Sequence, residues 1–299
     1  MKLLISVCLL LIFSPSMAQI GAMEDTTNEN GEYTSFYKAY QNIDDVKILS
    51  LKKDSIYTFL LNANKFTKLE ELHLHFGRSH FDYAHLLEIP SLVNLSIDYS
   101  YTVILPNKIY TLKNLKNITL THNGISALPE DFFLNNTIQV INLEENNIKI
   151  LNNSFADTNN IRVLSLKANR LNELPGSFHK LNQLEFLNVS KNNFTVFPDQ
   201  IVRLTSLKIL NIGFNDISML PVQINALKNL EVLYLTNTKI KELPKTFKKL
   251  KKLEDLFMSE DLLTENEKKE IINRLPRNCK ITWTNEDYYH DLDFSRELK

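Results

Sequence analysis

The chain has 299 residues, enough for one large domain or two ordinary ones, and its formal net charge at pH 7 is -1. Hydrophobic residues make up 43% of the sequence and charged residues 23%, which is typical of a globular protein. Because so balanced a charge gives no attraction to a polyanion, the composition argues against a nucleic-acid partner.

Residues 1–18 predict a cleaved secretory signal. Lys2 supplies the positive start, and Leu3–Phe13 is an apolar run too short to span a bilayer. Ser16 and Ala18 place small residues at the two positions that signal peptidase recognises, so we expect cleavage after Ala18. The mature protein is then secreted, periplasmic or at the cell surface, without a transmembrane segment. A short uncleaved anchor is the alternative.

A helical cap is predicted before the regular part of the chain. Residues 19–31 are expected to be a flexible leader. Residues 32–45 then place Phe36, Tyr40 and Ile43 at near-helical spacing. Such a helix would cover the apolar end of the first coil.

Residues 46–263 consist of ten copies of a 23-residue repeat, the last one truncated. Counting each copy from its first residue, for example Leu184, positions 1, 4 and 6 are apolar. Positions 4 and 6 alternate with polar neighbours, which is the period of a strand with one buried face. Position 9 is asparagine in five successive copies, where an amide can bond its own turn and the next coil. These structural asparagines are Asn123, Asn146, Asn169, Asn192 and Asn215.

The pattern LxxLxLxxNxLxxLPxxFxxLxx, as it stands in residues 161–183, resembles the leucine-rich repeat family. The resemblance implies an α/β solenoid, curved like a horseshoe, with a parallel sheet on its concave side. Irregular or short helical segments would form the convex side, and both ends would need caps. The resemblance indicates a function only in kind, because the same architecture serves unrelated ligands.

Residues 264–283 predict a C-terminal cap made of one helix and one strand. Thr264 and Glu267 have the spacing of a capping box at the start of the helix. Residues 279–283 would then add a closing strand. The last segment, residues 284–299, is an acidic and aromatic tail without an assigned structure.

The cysteines predict a mature chain without an intrachain disulfide. Cys8 lies within the signal, so Cys279 alone remains after cleavage. We expect it to be a buried structural thiol rather than a nucleophile. Secreted animal proteins of this architecture usually have disulfide-bonded caps, so their absence favours a bacterial protein.

The sequence has no GxGxxG or phosphate loop, no GxSxG elbow and no HExxH. We therefore expect no enzymatic activity and no cofactor. The alternative comes from His73 and His75, which would both point outward from one strand with Asp98 stacked beside His75 and His122 two strands away. Such a patch is suited to zinc or copper, although solvated histidines are the plainer interpretation.

Positions 3, 5, 7 and 8 of the copies are expected to face outward from the concave side. A row of apolar side chains at position 3 and aromatic rings at positions 5 and 8 are typical of a contact site. The predicted partner-binding residues are Val140, Val163, Phe186, Ile209 and Val232 at position 3, Tyr234 and Phe257 at position 5, Tyr99, His122 and Phe214 at position 8, together with His73 and His75.

These observations predict a non-enzymatic recognition module of the bacterial envelope or secretome. Its concave face would bind a protein, with a glycan as the second ligand class. A metal-binding protein or enzyme built on the histidine patch and a structural or adhesive spacer are the alternative functions. Seven lysines within residues 239–252 are expected on turns or the convex side, as a solvated surface or as a patch that attracts anionic lipid or polysaccharide.

Overall fold

The computed structural model describes residues 31–53, 55–75, 83–100 and 103–284. Within them, twelve parallel strands form one open sheet, and each strand neighbours the next in chain order. The strands are β1 (Glu32–Tyr33), β2 (Ile48–Lys52), β3 (Glu71–His75), β4 (Asn94–Asp98), β5 (Asn117–Thr121), β6 (Val140–Asn142), β7 (Val163–Ser165), β8 (Phe186–Asn188), β9 (Ile209–Asn211), β10 (Val232–Leu235), β11 (Asp255–Ser259) and β12 (Lys280–Thr284).

The strand register reproduces the repeat length. Leu210 lies opposite Leu187 on one side and Leu233 on the other, each 23 residues away. The same offset joins every neighbouring pair from β2 to β11. The two end pairs of strands have a different sequence offset: Glu32 lies opposite Ile48, and Asp255 lies opposite Lys280. The predicted 23-residue solenoid with a parallel sheet is therefore confirmed.

Short helices lie on the side away from the sheet in most of the coils, although none lies between β6 and β7. Among the described residues, three are α-helical: α1 (Phe36–Gln41), α2 (Ser55–Leu60) and α3 (Glu265–Asn273). The others are 3-10 helices of three to six residues, and such short pieces fit a coil of only 23 residues. The 3-10 helices are Ala63–Lys65, Tyr83–Glu88, Ile109–Thr111, Phe132–Leu134, Gly176–Lys180, Asp199–Arg203, Val222–Ala226 and Lys245–Lys249.

The core lies between the sheet and these helices. Leucines at positions 4 and 6 point into it, and the stacked Leu187, Leu210 and Leu233 are fully buried. Aromatic rings from the helical side fill the centre of the coils, with 5.3 Å between the ring centroids of Phe155 and Phe178. A single coil cannot bury these side chains alone, so stacking supplies most of the hydrophobic stabilisation.

Strand β2 and strands β4 to β10 each end in a turn with left-handed backbone at position 8. Glycine fits this conformation best, yet the position is occupied by other residues. Asparagine at position 9 then bonds the freed backbone groups. The left-handed residues at this position, with φ between 51° and 57°, are Lys53, Tyr99, His122, Glu145, Ala168, Lys191, Phe214 and Asn237.

Both ends of the solenoid have caps. At the start, α1 is preceded by the two-residue strand β1, which extends the sheet by one strand that the sequence did not predict. At the other end, the Thr264 hydroxyl accepts a hydrogen bond from the Glu267 backbone N–H, and the Glu267 carboxylate accepts one from the Thr264 backbone N–H. This capping box starts α3, and Ile271 buries the helix against the last coil.

The predicted signal in residues 1–18, the leader up to residue 30 and the tail from residue 285 onward lie outside the described residues. In the part of the chain that the structure describes, no helix combines the length and hydropathy needed to cross a membrane.

Candidate partner-binding face

One side of the sheet faces away from the core, and we name it the open face. It carries the side chains at positions 3, 5 and 7 of each copy. In β2, for example, Leu49 and Leu51 are buried whereas Ser50 between them is half-buried, as the alternation of a strand requires. The predicted partner-binding residues at positions 3 and 5 therefore lie on one surface.

The histidines lie at the N-terminal end of the open face. His73 and His75 stack with ring centroids 6.4 Å apart. Nδ1 of His75 lies 2.8 Å from both carboxylate oxygens of Asp98 on the neighbouring strand. His73 has a more distant carboxylate, with its Nε2 3.9 Å from Glu71.

Position 8 forms a second part of this patch. The ring of Tyr99 stacks on that of His122 with a centroid distance of 4.4 Å. Nε2 of His122 lies 2.9 Å from a carboxylate oxygen of Glu145. The imidazoles of His75 and His122 therefore each meet a carboxylate from the next coil, an arrangement that aligns neighbouring coils.

The patch does not assemble the ligands of a metal site. Among the described residues, no group of three or more histidine, cysteine, aspartate or glutamate side chains is placed to hold a metal ion. Of the metal candidates, His75 and Asp98 form a hydrogen-bonded pair, and the ring of His73 stacks on that of His75. Zinc sites require three or four protein ligands, so this geometry supports hydrogen bonding within the protein.

The central part of the open face differs from the expectation of an exposed apolar row. Val163 is only 6% exposed and Phe186 only 3% exposed, although both stand at position 3. Val140, Ile209 and Val232 in the same row are half-buried and partly accessible. As they stand, Val163 and Phe186 present almost no surface to a partner, and Tyr234 at position 5, which is 9% exposed, presents little.

Aromatic rings gather at the C-terminal end of the open face. The rings of Tyr234 and Phe257 are stacked, with centroids 4.4 Å apart and planes 9° apart. Phe214 at position 8 is half-buried, and the ammonium of Lys191 lies 5.4 Å from its ring centroid. Cation–π contact and stacking of this kind hold large side chains in fixed positions.

A shallow depression of about 310 Å³ lies beside the sheet, at positions 2 and 23. Its charged side chains are paired with each other: Nζ of Lys208 lies 2.6 Å from Glu185, and Arg162 lies 3.9 Å from the same carboxylate. The hydrogen bond to Glu185 raises the pKa of Lys208. This ladder of opposite charges aligns the coils, and its polar lining offers no anchor for an apolar ligand.

The sequence interpretation missed an exposed apolar row at position 13, on the edge between strand and helix sides. Ile104, Ile150, Val196 and Met219 are between 65% and 74% exposed. Apolar residues returning at one position of the 23-residue repeat were the available signal. Glu173 and Glu242 interrupt the row, so it is not continuous along the solenoid.

Cys279 immediately precedes β12 and is half-buried. Desolvation, assisted by the negative charge of Asp255, raises the pKa of its thiol to about 11. The thiolate is therefore scarce at neutral pH, which does not suit a nucleophile. Of the lysines in residues 239–252, those in the 3-10 helix Lys245–Lys249 are exposed on the convex side.

The model of the leucine-rich repeat matches residues 113–171, 162–217 and 205–263, which together span half of the chain. The chain belongs to the leucine-rich repeat family. Members of this family are in general binding scaffolds rather than enzymes, and the fold suggests a protein–protein interaction module.

The chain is similar in fold to solved leucine-rich repeat structures from different organisms. A leucine-rich repeat protein of Leptospira interrogans is 25% identical, with a TM-score of 0.73 over 86% of this chain and 66% of its own. Toll from the Drosophila Toll–Spatzle complex is 17% identical, with a TM-score of 0.64 over 83% of this chain and 37% of the other, and shows the fold alone. The chain thus spans just under two thirds of the Leptospira protein. A comparison with curated proteins gave no match.

Proposed function

We propose that this leucine-rich repeat protein is a non-enzymatic recognition module that binds a protein partner through the open face. The observation that carries the proposal is the cluster at the C-terminal end of that face, where the half-buried ring of Phe257, stacked on the buried ring of Tyr234, adjoins the half-buried Ile209 and Val232. Ordered aromatic and aliphatic side chains on a rigid surface are typical of binding hot spots.

The rigidity of this surface comes from its supports. The side chains of β9, β10 and β11 are held in a fixed register by the parallel ladder. Beneath them, the buried Leu210, Leu233 and Leu256 anchor each strand to the core. Because little side-chain or backbone freedom is left, this surface loses little conformational entropy when a partner binds.

The proposed location is the bacterial envelope or the extracellular space. Its support is the signal-like composition of residues 1–18 and the absence of disulfide pairs from the mature sequence. Similarity to the Leptospira interrogans protein agrees with a bacterial origin. A glycan, an adhesive contact or anionic lipid on the lysine-rich side would each give a different outcome in the test below.

The test uses the mature chain, residues 19–299, to capture proteins from an envelope or host extract, followed by affinity measurements with each captured protein. Ile209→Asp should weaken binding by about 100-fold, since it buries a charge at the centre of the proposed interface. Val196→Asp, on the exposed row at position 13, is the matched control and should bind like the wild type.

Circular dichroism and the thermal midpoint establish that both variants fold. Wild-type affinity of Ile209→Asp, or loss of binding in Val196→Asp alone, would assign the contact to another surface. Glycan arrays and anionic vesicles probe the other two ligand classes with the same pair of variants.

A further inference from the structure

One coil of the solenoid carries many more lysines on its convex side than the coils before it. The ninth copy, residues 230–252, has lysine at positions 16, 19, 20, 22 and 23, and all five side chains are exposed. At the same positions the seventh copy has one aspartate, one arginine and three uncharged residues, and the eighth has a single lysine. We name these six side chains the lysine patch: Lys228, Lys245, Lys248, Lys249, Lys251 and Lys252.

Two hydrogen bonds show how closely the eighth and ninth copies stack on this side. The Thr246 hydroxyl donates to the carbonyl oxygen of Val222 at 2.5 Å. The ammonium of Lys252 donates to the side-chain oxygen of Asn229 at 2.8 Å. Both bonds join almost equivalent positions of adjoining coils, at the two ends of the convex segment. The lysine patch is therefore one continuous surface that spans two coils.

Other lysines of the solenoid are paired with carboxylates of an adjoining coil. Lys180 lies 3.0 Å from Asp157, and Lys239 lies 2.9 Å from Asp216. Within the described part of the chain, by contrast, no carboxylate forms an ion pair with a member of the lysine patch. Residues 228–252 contain eight lysines and two glutamates, a net charge of +6, although the whole chain has -1. Such a concentration of one charge produces a positive potential that attracts anions.

Exposed apolar side chains border the lysine patch. Val222 has the same position in the eighth copy as Lys245 in the ninth, and its side chain is 58% exposed. Met219 in the same coil and Val196 in the coil before it are also exposed. Apolar side chains beside clustered lysines are typical of surfaces that lie on a bilayer, because the apolar groups enter the headgroup region and the ammonium groups meet anionic lipids.

We propose that the lysine patch, together with Val222 and Met219, docks the protein on a membrane surface with anionic headgroups. Each lysine close to such a surface strengthens binding by about fivefold, so several acting together give appreciable affinity. The open face lies on the opposite side of the coils from the 3-10 helices. Docking therefore directs that face away from the bilayer, and protein binding and membrane binding can occur together.

An anionic polysaccharide is the competing ligand. It would be attracted by the same lysines, because the attraction depends on charge alone. A hydrated sugar chain, however, offers no apolar interior in which Val222 and Met219 could be removed from water. The exposed apolar border of the lysine patch therefore favours a bilayer.

The first test is flotation of the mature chain, residues 19–299, with vesicles. The chain should float with phosphatidylcholine vesicles that contain about 30% phosphatidylglycerol, and it should not float with pure phosphatidylcholine. Salt at about 1 M should release it, because the attraction is electrostatic.

Substitutions within the lysine patch should weaken flotation. Lys248→Gln combined with Lys249→Gln should lower the affinity for the anionic vesicles by about 25-fold, which is fivefold for each lysine. Lys116→Gln combined with Lys149→Gln is the matched control, because it removes the same charge from exposed positions of other coils. This control should bind within about twofold of the wild type. Circular dichroism verifies that both variants fold.

The second test distinguishes a bilayer from a soluble polyanion. Val222→Trp should shift its emission to shorter wavelength when the anionic vesicles are added, after subtraction of the signal of Trp283 in the wild-type chain. Tyr57→Trp, at an exposed position in the first copy, is the control and should not respond. Dextran sulfate in place of the vesicles should shift neither tryptophan.

Equal flotation with neutral and anionic vesicles, or full flotation of the variant with Lys248→Gln and Lys249→Gln, would overturn the proposal. Binding of dextran sulfate without flotation would assign the lysine patch to a polysaccharide and also overturn it. Ile209→Asp, on the open face, should float like the wild type. Failure of partner capture with normal flotation would therefore contradict only the proposed function, and failure of flotation with normal capture would contradict only this inference.

Discussion

The side-chain amide of Asn192 donates a hydrogen bond to the carbonyl oxygen of Leu166, 26 residues earlier, at 2.9 Å. It also donates to the carbonyls of Val189 and Ser190, and its oxygen accepts from the Leu171 N–H at 2.9 Å. One amide thereby satisfies the buried backbone groups of its own turn and of the preceding coil. Equivalent bonds to the preceding coil recur at Asn123, Asn146, Asn169 and Asn215.

Asn192→Ala should lower the free energy of unfolding by about 3 kcal/mol, because it leaves buried carbonyls and one N–H without partners. The measurement is a urea titration followed by circular dichroism. Asn193→Ala, at the exposed neighbouring position, is the control and should change stability by less than about 0.5 kcal/mol. Equal losses in the two variants would contradict the role of the ladder.

Ala168→Gly should stabilise the protein by about 0.5 kcal/mol. Ala168 has φ of 53°, a left-handed conformation in which a Cβ costs more than the added freedom of glycine in the unfolded chain. Ala226→Gly, in the 3-10 helix Val222–Ala226, should instead destabilise it. Thermal midpoints that shift in the same direction for both variants would refute this account of position 8.

Glu267 should contribute a pH-dependent part of the stability. The hydrogen bonds from Thr264 hold the pKa of this carboxyl below its ordinary value of 4.5. Since the folded pKa is the lower one, the contribution is present above pH 4.5 and is lost as the pH falls through the folded pKa. Glu267→Gln should therefore have a lower thermal midpoint at pH 7, and the difference should close towards pH 3.

Glu270→Gln provides the comparison for this pH series, because Glu270 is exposed on the same helix α3. Its thermal midpoint should follow that of the wild type at each pH. A gap between Glu267→Gln and the wild type that stays constant from pH 7 to pH 3 would rule out the capping charge as its cause.

Cys279 should alkylate slowly at neutral pH. With a thiol pKa of about 11, the rate with iodoacetamide should rise about tenfold for each pH unit between pH 7 and pH 10. Asp255→Asn removes the smaller of the two causes of the raised thiol pKa and should therefore speed the alkylation at pH 8. Rapid labelling at pH 7 in the folded mature chain would contradict the burial of this thiol.

The histidine patch should not bind zinc in the micromolar range, since His75 and Asp98 already satisfy each other at 2.8 Å. Isothermal titration of the mature chain is the measurement. His75→Asn is the matched variant and should give the same flat titration. Tight binding that this variant abolishes would restore the metal-dependent alternative.

The repeat, the strands and the asparagine ladder follow from the sequence because each depends on contacts that recur at a fixed spacing. Strand β1 could not be predicted from the sequence, since two residues are too short to show an alternating pattern. The left-handed turns were equally hidden, because residues such as Lys191 and Phe214 occupy them in place of glycine. The burial of Phe186 was not predicted either, because the repeat pattern places position 3 on the outward side of the strand.

The uniform spacing of 23 residues between strand partners makes the coils interchangeable units. Excising residues 161–183 would bring Gln139, at position 2 of one copy, opposite Glu185 at the same position of another, so the ladder would close again without a shift in pairing. Gene duplication or loss of one copy therefore lengthens or shortens the protein in steps of about 4.8 Å while leaving both terminal caps intact. A lineage can in this way fit the molecule to partners of different sizes without inventing a new fold.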